Sequence, residues 1–169
     1  MKVVDLNDVK ALRAVDRHNM LDLYLGIADN VAKALSLAEE IKFPEIVKLR
    51  IGAIKYSFPP NGVVVAGMGG SAIGGKLLRD LLWDSSKVPI ITCEDYQLPS
   101  YVGPRSLLMV ISYSGNTEET LYAFVKSLRR KCMIVAISSG GLLGWACQEL
   151  GLPFIKAVSY THLTLPTTE

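Results

Sequence analysis

The chain has 169 residues, enough for one α/β domain with a real core and too few for two of ordinary size. Half of the residues are hydrophobic and 20% are charged, which excludes a disordered chain, and no apolar run approaches the roughly 20 residues that a membrane-spanning helix needs. A formal net charge of +2 gives no electrostatic footprint for nucleic acid or an anionic membrane, so neither is expected as a partner.

The basic residues cluster only at Lys126, Arg129, Arg130 and Lys131, at the end of an expected helix. Cations complement the dipole there, so the cluster reads as a solvated helix C-terminus. Cys93, Cys132 and Cys147 lack metal-ligand spacing and lie in or beside apolar segments, which suits reduced core thiols. No metal or cofactor is expected. The opening MKVVDLNDVK alternates charged and apolar residues without a signal-peptide core, and a cytoplasmic location is the expectation.

In chain order, apolar residues first recur at helical spacing from Asn19 to Ile41 (Leu21, Leu25, Ala28, Val31, Ala32, Leu35, Ala38), with a break expected near Asp29-Asn30. Pro44 can open a second helix carrying Ile46, Leu49 and Ile54 and ending before Pro59-Pro60. These are amphipathic helices, expected to pack on the domain that begins after Pro60.

Beyond Pro60 the pattern changes to short apolar runs, each trailed by turn residues and then helix. The runs are 63–66, 88–92, 107–111 and 133–137, with a weaker fifth at 153–155; helices are expected over 73–83, 118–128 and 142–150. Runs this apolar suit strands buried on both faces. The fold class is therefore α/β, a three-layer α-β-α sandwich with a parallel sheet of about five strands. Ligands in such sheets bind at the carboxyl ends of the strands.

Two loops there are chemically unusual. Gly67-Met68-Gly69-Gly70-Ser71-Ala72-Ile73-Gly74-Gly75 joins a strand to a helix, where glycines bare the backbone N–H groups and the helix supplies its positive end. Close helix packing explains the same glycines structurally. Ser112-Tyr113-Ser114-Gly115-Asn116-Thr117-Glu118-Glu119-Thr120 places three hydroxyls, Ser112, Ser114 and Thr117, around a glycine at a helix start, a cup of neutral donors for phosphate oxygens. Helix capping by Asn116 or Thr117, with Glu119 closing a capping box, accounts for only part of that loop.

The loops GMGGSAIGG and SYSGNTEETL resemble those of the sugar isomerase (SIS) domain. With the helical lead and the CEDYQLP segment, residues 1–157 resemble bifunctional phosphoglucose/phosphomannose isomerases. The resemblance implies an aldose-ketose isomerase of sugar phosphates, with Ser112, Ser114 and Thr117 on the phosphate and Gly69, Gly70 and Ser71 against the substrate. It also implies a homodimer.

The arginine, glutamate, histidine and lysine that the resemblance implies for catalysis match no position here. His18 lies in the helical lead and His162 in the tail, outside any matching motif. The organisation expected is a lead over 1–60, a truncated SIS domain over 61–157, and a non-native tail over 158–169 resembling a translated sequencing adaptor. Such a fragment is expected to bind phosphosugar and to be inactive alone.

Two rivals remain. Gly67-x-Gly69-x-x-Ala72, with Glu94 about 20 residues on, satisfies a relaxed dinucleotide fingerprint. The same SIS domain can also serve as a non-catalytic sugar-phosphate sensor, although the lead shows no basic recognition helix.

Overall fold

The structure, a computed structural model, describes residues 5 and 7–157. The tail 158–169 and its His162 lie outside them. The described chain divides into two compact units, one ending at Glu40 and the other beginning at Ile41.

The first unit holds α1 (Val9–Val15), α2 (Met20–Leu25) and α3 (Ile27–Glu39). Asp8 caps α1, its carboxylate accepting from the N–H groups of Lys10 and Ala11. The break in the long helical stretch falls at Gly26 and not at Asp29-Asn30. Asp29 sits in the first turn of α3, where its charge favours the helix dipole.

The second unit opens with a correction. Where a helix was expected after Pro44, the chain forms an antiparallel hairpin, β1 (Ile46–Leu49) with β2 (Gly52–Lys55), closed at the Leu49–Gly52 pair. Val47 and Ile54 pair across the hairpin and are buried on one side, with Tyr56 buried just beyond β2. The hairpin displaces the helical reading because Val47 and Ile54, paired across it, share a buried side only in strand form.

The Tyr56 hydroxyl fastens this hairpin segment to the sheet. It donates to the carbonyl of Ile134 at 2.7 Å and accepts from the N–H of the same residue at 3.3 Å.

The sheet contains β3 (Gly62–Ala66), β4 (Ile90–Cys93), β5 (Ser106–Ile111), β6 (Met133–Ser138) and β7 (Phe154–Lys156), all parallel, in the order β4-β3-β5-β6-β7. Helices α4 (Gly70–Leu81), α5 (Glu118–Arg129) and α6 (Gly141–Leu150) connect them. Right-handed crossovers put α4 on one face and α5 and α6 on the other. The expected α-β-α sandwich with five parallel strands is therefore present. Its central strands carry the core: Val64, Leu108, Val110, Met133 and Ile134 are almost wholly buried.

The expected solvated cluster at the end of α5 needs correcting at Arg130. Its guanidinium donates to the carbonyls of Pro99 at 2.6 Å, Leu98 at 3.4 Å and Val102 at 3.4 Å, so it holds the segment after β4 against the helix end.

The cysteines are free and buried, as expected. Burial raises the thiol pKa of Cys132 from 9.0 to about 11 and of Cys147 from 9.0 to about 12, and raises the Tyr56 phenol from 10.0 to about 12.

Two measurements test this packing. Tyr56→Phe should lower stability in urea unfolding by about 1–3 kcal/mol, and an unchanged midpoint would mean that the hydroxyl contributes nothing. The raised thiol and phenol values mean that the native state keeps protons which the unfolded chain releases from about pH 9 upward. Their contribution is complete below pH 9 and should be lost progressively as pH climbs through 11 to 12; stability that stays flat across that interval would refute it.

Candidate functional site

The winding reverses between β3 and β5: one crossover leaves β3 toward β4 and the other leaves β5 toward β6. At such a switch point the loops after the two strands diverge to opposite faces and leave a crevice. The loops after β3 and β5 here are the two that the sequence singled out.

In the loop after β3 and the first turns of α4 the glycines divide by role. A side chain at Gly67 would sit 2.8 Å from the Ile111 carbonyl oxygen, and one at Gly75 would sit 2.7 Å from Val65, so these two let the loop meet β5 and let α4 lie on the sheet. Gly69 takes φ 52° and ψ −122°, a conformation open to glycine, and serves as the N-cap of α4. Gly70 has open space where a Cβ would be, so packing does not require it. No side chain caps α4. Ser71 is half-buried in its first turn. The structural reading thus accounts for Gly67 and Gly75, and leaves Gly69, Gly70 and Ser71 around an uncapped helix N-terminus.

In the loop after β5, Ser112 Oγ and Thr117 Oγ1 share a hydrogen bond of 2.9 Å, and Ser112 Oγ also accepts from the Gly115 N–H at 3.1 Å. Ser114 Oγ accepts from the Asn116 N–H at 3.2 Å. Three hydroxyls therefore use one hydrogen among themselves. The Ser114 hydrogen and one of the Ser112/Thr117 pair remain for a ligand. Ser112 is buried, Thr117 half-buried and Ser114 exposed, a gradation that opens the cup toward solvent.

The capping box does not form. Thr117 is the N-cap of α5 but makes no side-chain cap bond. Asn116 instead turns its Oδ1 to the N–H of Leu142 at 2.9 Å, in the first turn of α6. The N-terminus of α5 is therefore free of side-chain caps and presents its positive end beside the hydroxyl cup.

A third loop, Ser138-Ser139-Gly140-Gly141, comes after β6 and holds the cup in place; the sequence reading passed over it. The Tyr113 carbonyl accepts from Ser139 Oγ at 2.6 Å and from its N–H at 3.0 Å, while the Leu143 N–H donates to the Gly115 carbonyl at 2.9 Å. Gly115, at φ 70°, lies so close to the Gly140 carbonyl that any side chain would collide with it. Its signal was legible: serines and glycines between a buried strand and a helix, the same grammar as the other two loops.

The two predicted groups do not bond directly to each other. They are brought alongside by the β3–β5 pairing and by the Gly67–Ile111 approach. Glu94, the acidic residue of the dinucleotide reading, forms a 2.6 Å ion pair with Lys76 of α4. A wider hollow, about 840 Å³ with its open mouth, is lined by Arg79, Trp83, Lys87 and Pro89 before β4, at the opposite end of the sheet from the loops. No group of three or more metal-ligating side chains occurs among the described residues. No helix among them is long and apolar enough to cross a membrane.

Asn116→Ala should uncap α6 and lower stability by about 0.5–2 kcal/mol in urea unfolding, whereas Asn116→Asp keeps the acceptor and should preserve it. Equal losses in the two variants would show that the cap is not the source.

No protein-family model matches the chain. Several proteins called bifunctional phosphoglucose/phosphomannose isomerase are similar to it in sequence. The one from Caldicellulosiruptor bescii is 51% identical over 97 residues, 57% of this chain and 29% of the relative. That from Thermoplasma acidophilum is 38% identical over 96 residues, 57% and 29% respectively. That from Pyrobaculum aerophilum is 41% identical over 121 residues, 70% and 37%. The aligned part spans about a third of each relative's length.

Among solved structures, tagatose-6-phosphate ketose/aldose isomerase from Escherichia coli superposes with a TM-score of 0.51 at 20% identity, over 62% of this chain and 32% of that one. The Vibrio vulnificus NanR protein complexed with ManNAc-6P superposes with a TM-score of 0.52 at 22% identity, over 83% and 54%. In sequence the chain is thus similar to the bifunctional phosphoglucose/phosphomannose isomerases, and its fold is the α/β fold of the phosphosugar isomerases.

Proposed function

We propose that this chain is the phosphosugar-binding part of an aldose-ketose isomerase that interconverts glucose 6-phosphate or mannose 6-phosphate with fructose 6-phosphate. The observation that carries the reading is the cup of Ser112, Ser114 and Thr117 at the uncapped start of α5, beside Gly69, Gly70 and Ser71 at the switch point. Backbone N–H groups and hydroxyls there are neutral donors. They hold a phosphate dianion without a cation that would compete for the sugar.

Isomerisation moves a proton between neighbouring carbons and needs a base, a group that opens the ring and positive charge near the developing enediolate. In this reading those groups come from residues that this chain does not supply, and the chain alone binds without turning over. Assembly as a homodimer, in a soluble cytoplasmic enzyme, belongs to the same proposal. The names of the sequence relatives support the isomerase part of the reading.

A non-catalytic sugar-phosphate-binding module is the second reading, favoured by the likeness in fold to a protein whose structure is a complex with ManNAc-6P. The dinucleotide reading loses ground on two counts. Glu94 is already paired with Lys76, and the strand order differs from that of the two-halved dinucleotide fold.

Calorimetric titration separates these. Fructose 6-phosphate should bind and NAD should not; the reverse would restore the dinucleotide reading. Ser114→Ala should weaken fructose 6-phosphate binding by about 1–3 kcal/mol with the fold intact, and unchanged binding would remove Ser114 from the site.

A further inference from the structure

Helix α4 is apolar on both sides. Ala72 and Gly75 are buried on the side that meets the sheet, as one face of a surface helix should be. The opposite flank carries Gly70, Ile73, Gly74, Leu77 and Leu81, whose spacing of three and four residues puts all five on one face. Ile73 is 51% exposed, Leu77 64% and Leu81 77%, and Trp83 just past the helix is 78% exposed. Single apolar side chains at a surface need no explanation, but a continuous row of them marks a contact surface.

The glycines give that flank its shape. A Cβ at Gly70 or Gly74 would meet nothing within 4 Å, so packing among the described residues requires neither. Glycine inside a helix costs stability relative to alanine, and Gly74 lies a full turn inside α4. Without side chains there, the flank is hollow in its N-terminal half and bulky in its C-terminal half.

Such a surface is complementary to itself turned end for end. An antiparallel pairing that sets Leu81 over Gly70 also sets Leu77 over Gly74, because both pairs are centred on the same point of the helix, between Gly75 and Lys76. Parallel pairing would press leucine on leucine and leave the glycine ends facing a void. The antiparallel arrangement is that of a two-fold interface, in which each copy offers the same patch and receives the same patch. A lipid surface fits less well, because the charged residues along this flank are Asp80 and Asp84, which anionic headgroups repel.

We propose that a second copy of this chain docks on this flank by antiparallel pairing of α4 with α4, the leucines of each copy filling the glycine hollows of the other. This rests on the homodimer of the reading above and gives it a surface. Gly70 also borders the proposed phosphosugar crevice, so the pairing brings the second copy alongside that crevice. A helix of 12 residues is about 18 Å long, and one such pair is small beside the roughly 1,200 Å² of a stable interface, so the dimer is weak and concentration-dependent.

Sedimentation equilibrium of the whole chain tests this. The native chain should show a monomer–dimer equilibrium, and Leu77→Asp, a charge at the centre of the flank, should weaken it by about tenfold or more while the circular dichroism spectrum is kept. Gly74→Leu is the decisive variant. It adds apolar surface in open space, so a merely adhesive face would associate more tightly, whereas a hollow that must receive a leucine is filled and the dimer should weaken by about tenfold. Unchanged or tighter association of Gly74→Leu, or a native chain that stays monomeric, overturns the proposal. Titration with fructose 6-phosphate reads the other part of the reading separately: a monomer that binds it sinks the interface and leaves the phosphosugar site, and a dimer with the expected variants that does not bind it does the reverse.

Discussion

Where β3 and β5 lie side by side, the backbone of Gly67 comes so near the Ile111 carbonyl that no side chain fits between them. That approach is the constraint on which the rest of the site depends. It allows the loop after β3 to turn away to α4 on one face while the loop after β5 turns to α5 on the other. In the gap between the diverging loops, backbone N–H groups and side-chain hydroxyls of two segments converge.

The convergence is held from the side by the loop after β6. Tyr113 and Gly115 lend their carbonyls to it, Asn116 caps α6, and Gly115 nests against Gly140. The donors facing the crevice are thereby fixed by residues whose own bonds are satisfied elsewhere. On the proposed reading, a cup built in this way would lose little freedom on taking up an anion. The same arrangement explains why Asn116 does not cap its own helix: the bond it makes to Leu142 joins two loops, and the start of α5 stays open.

Outside the crevice, two long-range contacts position the remaining segments. Tyr56 brings the β1–β2 hairpin to Ile134 of β6, on ground that β7 does not cover because it joins β6 only from Ala136 onward. Arg130 draws the stretch after β4 onto the end of α5, and the phenol of Tyr96 in that stretch is pushed up by partial desolvation and by the carboxylates of Glu118 and Glu119. Segment 94–99 thus lies over the start of α5, where the Tyr96 ring packs edge-on against Tyr122.

The sequence by itself determined the layered sheet and pointed to the loops after β3 and β5 as the candidate site. Apolar runs at 63–66, 107–111 and 133–137 can be satisfied only by burial on both faces, and the glycine- and serine-rich loops after the first two mark helix starts that can present backbone N–H groups to an anion. It also pointed to Ser112, Ser114 and Thr117, because a cluster of small hydroxyls beside a glycine is local chemistry. Tertiary structure decided everything that hinges on a partner far along the chain. Residues 46–55 carry enough apolar side chains for a helix or a hairpin, and only the surface offered to Val47 and Ile54 selects the hairpin. Asn116 and Arg130 read locally as a cap and a solvated cation. Their roles come from Leu142 and from the carbonyls of Leu98, Pro99 and Val102, none of which any periodicity in the sequence encodes, because hydrogen bonds across such separations are set by where the strands lie.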